Sequence, residues 1–76
     1  MAISKINYYG LGDTTPNTIA VMEGLELGDF CEDILGIADT RKVKVLLNGS
    51  IESDMEIELQ DGDIVKVEAL KTDSGQ

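Results

Sequence analysis

The segment from Lys42 to Val67, KVKVLLNGSIESDMEIELQDGDIVKV, constrains the fold of this chain more than any other stretch. Val43, Val45 and Leu47 alternate with Lys42, Lys44 and Leu46, which is the period of a strand with one face buried. Asn48-Gly49 follows at once and is the strongest short signal for a hairpin turn. A second tight turn is marked by Asp61-Gly62. Ile64–Leu70 then reads as a final strand, with Val65, Val67 and Ala69 on one face. Between the turns, Ile51–Leu59 carries Ile51, Met55, Ile57 and Leu59 among carboxylates, and fits either a short strand or an extended crossing.

The N-terminal half supplies two further strands and one helix. Ile3–Tyr9 is rich in β-formers, with Ile6 and Tyr8 on one face. Gly10–Pro16 is a breaker-rich connection, and Thr18–Glu23 is a second β run ended by Gly24. Asp29–Leu35 reads as a helix. Asp29 is placed to cap its first turn, with Glu32 three residues on as in a capping box. Phe30 and Ile34 share a helix face, and Gly36 suits the left-handed residue that ends a helix. Two turns of helix do not survive alone, so this one must dock on a sheet. The order β-β-α-β-(β)-β describes an α+β fold, a mixed sheet of four or five strands with one helix across one face.

Composition sharpens this reading. A chain of 76 residues buries only about 60% of its unfolded surface, so the core must be efficient. Trp is absent, and Phe30, Tyr8 and Tyr9 are the only aromatics, so that core is aliphatic. The chain reads as a single domain over residues 1–71 with a polar tail over 72–76. Fifteen acidic residues against six basic ones give a formal charge of −9. That charge repels phosphate backbones and argues against direct binding of nucleic acid or of an anionic membrane. No apolar run approaches the roughly 20 residues that span a bilayer. Cys31 is the only cysteine, which excludes an internal disulfide, and MAISKINYYG has no apolar targeting core. The expected location is cytoplasmic.

Catalytic chemistry finds little support. There is no His, so a Cys–His or Ser–His nucleophilic pair is excluded. Asp61-Gly62-Asp63 with Glu56 and Glu58 does not match a calcium loop, and Gly10-Leu11-Gly12 lacks the Lys of a phosphate loop. Cys31, beside Phe30, is expected to be a small buried apolar residue. No cofactor and no metal site are implied, and nothing in the sequence sets an oligomeric state.

The order and the residues together resemble the ubiquitin-like β-grasp proteins, most of all the sulfur-carrier branch of ThiS and MoaD and the TGS-type domains. The resemblance runs through Leu27-Gly28-Asp29-Phe30 entering a helix and Leu35-Gly36-Ile37 leaving it. It continues through Val43-Lys44-Val45-Leu46-Leu47-Asn48-Gly49 and Leu59-Gln60-Asp61-Gly62-Asp63-Ile64-Val65-Lys66-Val67. It covers about two-thirds of the chain and specifies fold better than function, because the same scaffold serves carriers, modifiers and binding modules. Sulfur carriers and modifiers end in a diglycine whose carboxylate is activated by a partner enzyme. This chain ends Thr72-Asp73-Ser74-Gly75-Gln76. Ser74 stands where the first glycine of that pattern would be, and Gln76 follows Gly75. The ending is also similar to the Gly-Gly-Gln tail of the prokaryotic ubiquitin-like modifier, and Ser74 breaks that match too.

The resemblance implies a helix on one face of the sheet and an open face opposite. Val43, Val45, Val65 and Val67 are expected to face the helix. Lys44, Leu46, Lys66, Glu68 and Leu70 are expected to line the open face as a protein-binding surface. Glu52, Asp54, Glu56, Glu58, Asp61 and Asp63 have no basic residue among them and form an expected acidic edge, suited to a partner with a basic surface. Three functions stay open: a non-enzymatic interaction module using the open face; an acidic decoy, of phage or mobile-element type, occupying a basic nucleic-acid-binding site; and a carrier or modifier acting through Ser74, Gly75 and Gln76.

Overall fold

The computed structural model describes residues 2–70. Two strands open the chain, β1 (Ile3–Tyr9) and β2 (Asn17–Met22), followed by helix α1 (Leu27–Asp33). A short 3-10 turn at Thr40–Lys42 leads into β3 (Val43–Leu47), β4 (Ser50–Ile51) and β5 (Ile64–Ala69). The five strands form one mixed sheet in the order β2-β1-β5-β3-β4. β1 pairs β5 in parallel, while β1–β2, β3–β5 and β3–β4 are antiparallel. With α1 on one face, this is the β-grasp architecture expected from the sequence.

Both glycine turns form for the expected reason. Asn48 and Gly49 sit at φ 53° and 88°, the paired left-handed geometry of a two-residue hairpin. The Asn48 side chain accepts from the Ile64 N–H and donates to Asp63, so it also ties the hairpin to the start of β5. The segment after β4 is the extended crossing. Only Ser50 and Ile51 pair as strand, and the chain then runs past the start of α1 before entering β5.

The helix begins earlier than its capping signal indicates. It spans Leu27–Asp33 rather than Asp29–Leu35, and Asp29 lies inside its first turn instead of capping it. Glu26 stands at the N-cap without a side-chain cap bond. The crossing takes over that role: the Leu27 and Gly28 N–H groups donate to the carbonyls of Ile57 and Met55, each at 2.8 Å. Backbone from a distant segment thus satisfies the orphan donors that a local side chain was expected to satisfy. At the far end the helix stops at Asp33, two residues before the expected Leu35; Gly36 still takes the left-handed φ of 72°, and Ile37 N–H donates to the Cys31 carbonyl.

The core lies between α1 and the sheet. Ile6, Val45, Val65 and Val67 from the strands meet Leu27, Phe30 and Cys31 from the helix, with Leu59 from the crossing; all are buried. Val43 shares this face but is only half-buried. The Tyr8 ring meets Phe30 edge-to-face at 5.6 Å between centroids.

Cys31 is fully buried, as expected, and burial pushes its thiol up to about 11 from an ordinary 9.0. Its folded value lies above its unfolded one, so the associated stability is intact below pH 9.0 and is lost as pH rises toward about 11. Alkaline unfolding should therefore start earlier in the wild type than in Cys31→Ala, once each is referred to its own stability at pH 7. Parallel pH-dependent urea melts of the two proteins would show it; identical slopes between pH 9 and 11 would contradict it.

Candidate functional site

The β3–β5 register builds the open face. Lys44 stands opposite Glu68, and Leu46 opposite Lys66. These four residues alternate with the buried Val45, Val65 and Val67, so they project away from α1. Leu70 continues the same alternation just beyond the end of β5 and is exposed. The register therefore puts Lys44, Leu46, Lys66, Glu68 and Leu70 on the side of the sheet opposite the helix.

Their arrangement differs from a simple apolar centre with a charged rim. The Glu68 carboxylate is held between Lys44 Nζ at 3.2 Å and Lys66 Nζ at 3.3 Å. Hydrogen bonding to Lys44 first, and then to Lys66, holds its pKa below the ordinary carboxylate value. Lys66 also lies over the Tyr9 ring, 5.7 Å from its centroid. A charged ladder thus runs across β3, β5 and β1 through the middle of the face, because the register places these residues side by side. Exposed pairs of this kind add little stability. Their effect is to hold the long side chains in defined positions.

Ile51 and Tyr9 belong to this surface although neither is in the expected set. Ile51 lies opposite Leu46 and is 69% exposed. Tyr9 anchors Lys66. The first was available from the sequence: a two-residue Asn48-Gly49 turn pairs Leu47 with Ser50 and Leu46 with Ile51. The second depends on the parallel β1–β5 pairing, which sets Tyr9 beside Lys66.

Beside the open face lies a cleft of about 430 Å³. Lys44, Ile51 and Leu70 line it together with Val43, Val45 and Met55. It exists because β4 stops after two residues and leaves the outer side of β3 uncovered near Val43. Arg41 also lines it, and its side chain is paired with that of Asp39 at 3.0 Å. Hydrogen bonding to Arg41 lowers the pKa of Asp39, and the same bond raises that of Arg41.

The six carboxylates from Glu52 to Asp63 differ in their hydrogen bonding. Glu52 accepts from the Asp54 N–H and Asp54 from the Glu56 N–H, so both stiffen the crossing. Glu56 and Glu58 are exposed farther along it. Asp61 instead accepts from the Lys5 N–H, and Asp63 accepts from the Gln60 N–H and from Asn48, closing the turn into β5. Among the described residues no three acidic, His or Cys side chains converge in a way that would hold a metal ion. Gly10–Pro16 is closed on itself: Asp13 accepts from the Gly10 N–H and from Asn17. Ser74, Gly75 and Gln76 lie outside the described residues. No described helix is long and apolar enough to cross a membrane.

No protein-family description matches this sequence, and no curated protein matches it. Among solved structures, the chain is similar to a chain of the protein–protein complex of subunits 1 and 2 of molybdopterin-converting factor from Helicobacter pylori 26695. The two align with a TM-score of 0.54 over 93% of this chain and 97% of the other, at 11% sequence identity. At that identity the likeness is one of fold alone.

Proposed function

We propose that this protein is a non-enzymatic interaction module that docks on another protein through the open face of its sheet. One observation carries the reading: Leu46, Ile51 and Leu70 are grouped around the fixed Lys44–Glu68–Lys66 ladder, beside an apolar-lined cleft. Apolar anchors next to positioned charges are the anatomy of a protein–protein contact. The likeness in fold to a chain solved within a two-subunit complex supports the same reading.

The charge distribution refines the partner. The open face carries Lys5, Lys44 and Lys66 against Glu68, so it is the cationic part of an acidic protein. The partner surface that fits it is an apolar pocket with a neutral or acidic rim. The crossing that carries Glu52, Asp54, Glu56 and Glu58 is bonded through its backbone to the start of α1, and these carboxylates would steer a basic region of the partner rather than form the contact itself.

The test is affinity capture from the native cell with wild type and a Leu46→Asp/Leu70→Asp variant, after circular dichroism has shown that both are folded. Capture should fall by about tenfold or more, since two anchors at over about 1 kcal/mol each are removed. Neutralising Glu52, Asp54, Glu56 and Glu58 should leave it nearly unchanged. If the acidic variant loses binding while the Leu variant keeps it, and if binding collapses with salt, the decoy reading replaces this one.

A further inference from the structure

Among the described residues, β2 forms one margin of the sheet, and it lacks the usual protection of an edge. In the β1–β2 ladder, Glu23 N–H donates to the Ala2 carbonyl. Bonded pairs alternate in an antiparallel ladder, so Asn17, Ile19 and Val21 direct their backbone groups at β1. The other side of β1 agrees: Asn7 N–H donates to Asp63, and the Lys5 carbonyl accepts from Gly62, both toward β5. The N–H and C=O groups of Thr18 and Ala20 and the N–H of Met22 therefore point outward, beyond the end of the sheet. The Met22 carbonyl already accepts from Leu25.

Edge strands are ordinarily shielded by charge, an interior Pro, a bulge or short length. Asn17–Met22 runs for six residues as NTIAVM, with no charge and no Pro within it, and its pairing with β1 is continuous. In a chain of charge −9 this uncharged margin stands apart.

We propose that β2 pairs antiparallel with β2 of a second copy of this chain, joining the two sheets edge to edge about an axis beside Ala20. This register sets Ala20 against Ala20, and Thr18 against Met22, so every outward N–H finds a carbonyl, that of Met22 accepting a second bond beside the one from Leu25. A slip of one bonded pair toward the N-terminus brings in Pro16, which has no N–H to donate. A slip the other way brings in Gly24 beyond the strand end. The side chains also match themselves: Ile19 meets Val21 on the helix side, Thr18 meets Met22 on the open side, and Asn17 meets Glu23, with no like charges opposed. The contact is isologous and closes as a dimer. Strand-edge pairing alone buries less than a standard interface, so the association is weak, with a dissociation constant on the order of 0.1 mM. Two acidic copies repel one another, so added salt strengthens the dimer.

The experiment is sedimentation equilibrium from about 20 μM to 1 mM, paired with residue-resolved amide exchange at the two extremes. At the high concentration the wild type should approach dimer mass. The Thr18, Ala20 and Met22 amides should then exchange several-fold more slowly, while Ile19 and Val21 are protected throughout by β1. Ala20→Pro removes only an outward N–H and should stay monomeric with a native spectrum. Ala20→Glu, which opposes two carboxylates at the axis, should do the same. Leu46→Asp/Leu70→Asp should dimerise like wild type. A monomer at 1 mM would overturn the proposal. So would dimerisation of Ala20→Pro, loss of the dimer in the Leu46/Leu70 variant, or slowed exchange on the open face instead of β2.

Discussion

Phe30→Ala should lower the unfolding free energy by about 3–5 kcal/mol, the usual cost of removing a buried aromatic ring. Phe30 is completely buried in the middle of α1 and is the only Phe in a chain with no Trp. Its ring fills the space between helix and sheet and meets Tyr8 edge-to-face. A seven-residue helix has almost no stability of its own and is held by this docking. Small domains sit near the lower end of the usual 5–15 kcal/mol, so such a loss takes most of the stability. The melting temperature should fall by about 15–30 °C, read by circular dichroism. Tyr9→Ala on the open face provides the contrast and should cost only about 1 kcal/mol or less, since Tyr9 lies outside the core. Near-equal melts for the two variants would remove Phe30 from the centre of this fold.

Gly28→Ala should destabilise by about 1–3 kcal/mol, against the direction that helix propensity predicts. Ala is favoured over Gly inside a helix by about 1 kcal/mol, so on local grounds the substitution is stabilising. The tertiary contact reverses the sign. A Cβ on Gly28 would stand 3.0 Å from the Met55 Cβ and 3.1 Å from the Met55 carbonyl oxygen. Neither is the free end of a flexible side chain, so the crossing itself must shift. That shift strains the bonds from Leu27 and Gly28 to Ile57 and Met55, which replace a side-chain cap at the start of α1. Urea melts of Gly28→Ala and Gly28→Val should rank wild type above Ala and Ala above Val. A stabilised Gly28→Ala would mean that the crossing gives way freely, and that its carbonyls do little for the helix.

The contrast between these residues shows where local reading succeeds. The valine alternation in β3 and β5 identifies the buried face because period-two burial leaves few alternatives. Asn48-Gly49 and Asp61-Gly62 identify their turns because few other residues tolerate positive φ there. The pairing of Ile51 with Leu46 follows from the same hairpin, although Ile51 was not among the expected surface residues. The start of α1 lies two residues before the good local capping signal of Asp29. The crossing supplies a competing set of acceptors from nearly thirty residues away, and it offers two carbonyls where a side chain offers one cap.

The open face divides in the same way. That Lys44, Leu46, Lys66, Glu68 and Leu70 share one side of the sheet follows from alternation within each strand. That Glu68 bridges both lysines depends on the β3–β5 register, which the crossing sets. The carboxylates show the limit most clearly: Glu52 and Asp54 brace the crossing, while Asp61 and Asp63 tie down the turn into β5.

By itself the sequence determined the element types, the two glycine turns, the helix-facing valines and the acidic character of the chain. Each follows from local backbone preference or from side-chain period. The parallel pairing of β1 with β5, the backbone carbonyls that cap α1 and the charged ladder across the open face arise from the folded chain. Among the described residues, folding also left the whole outer side of β2 unpaired. Each of these depends on bringing distant segments together, where packing and backbone hydrogen bonds outweigh the preferences of any short stretch.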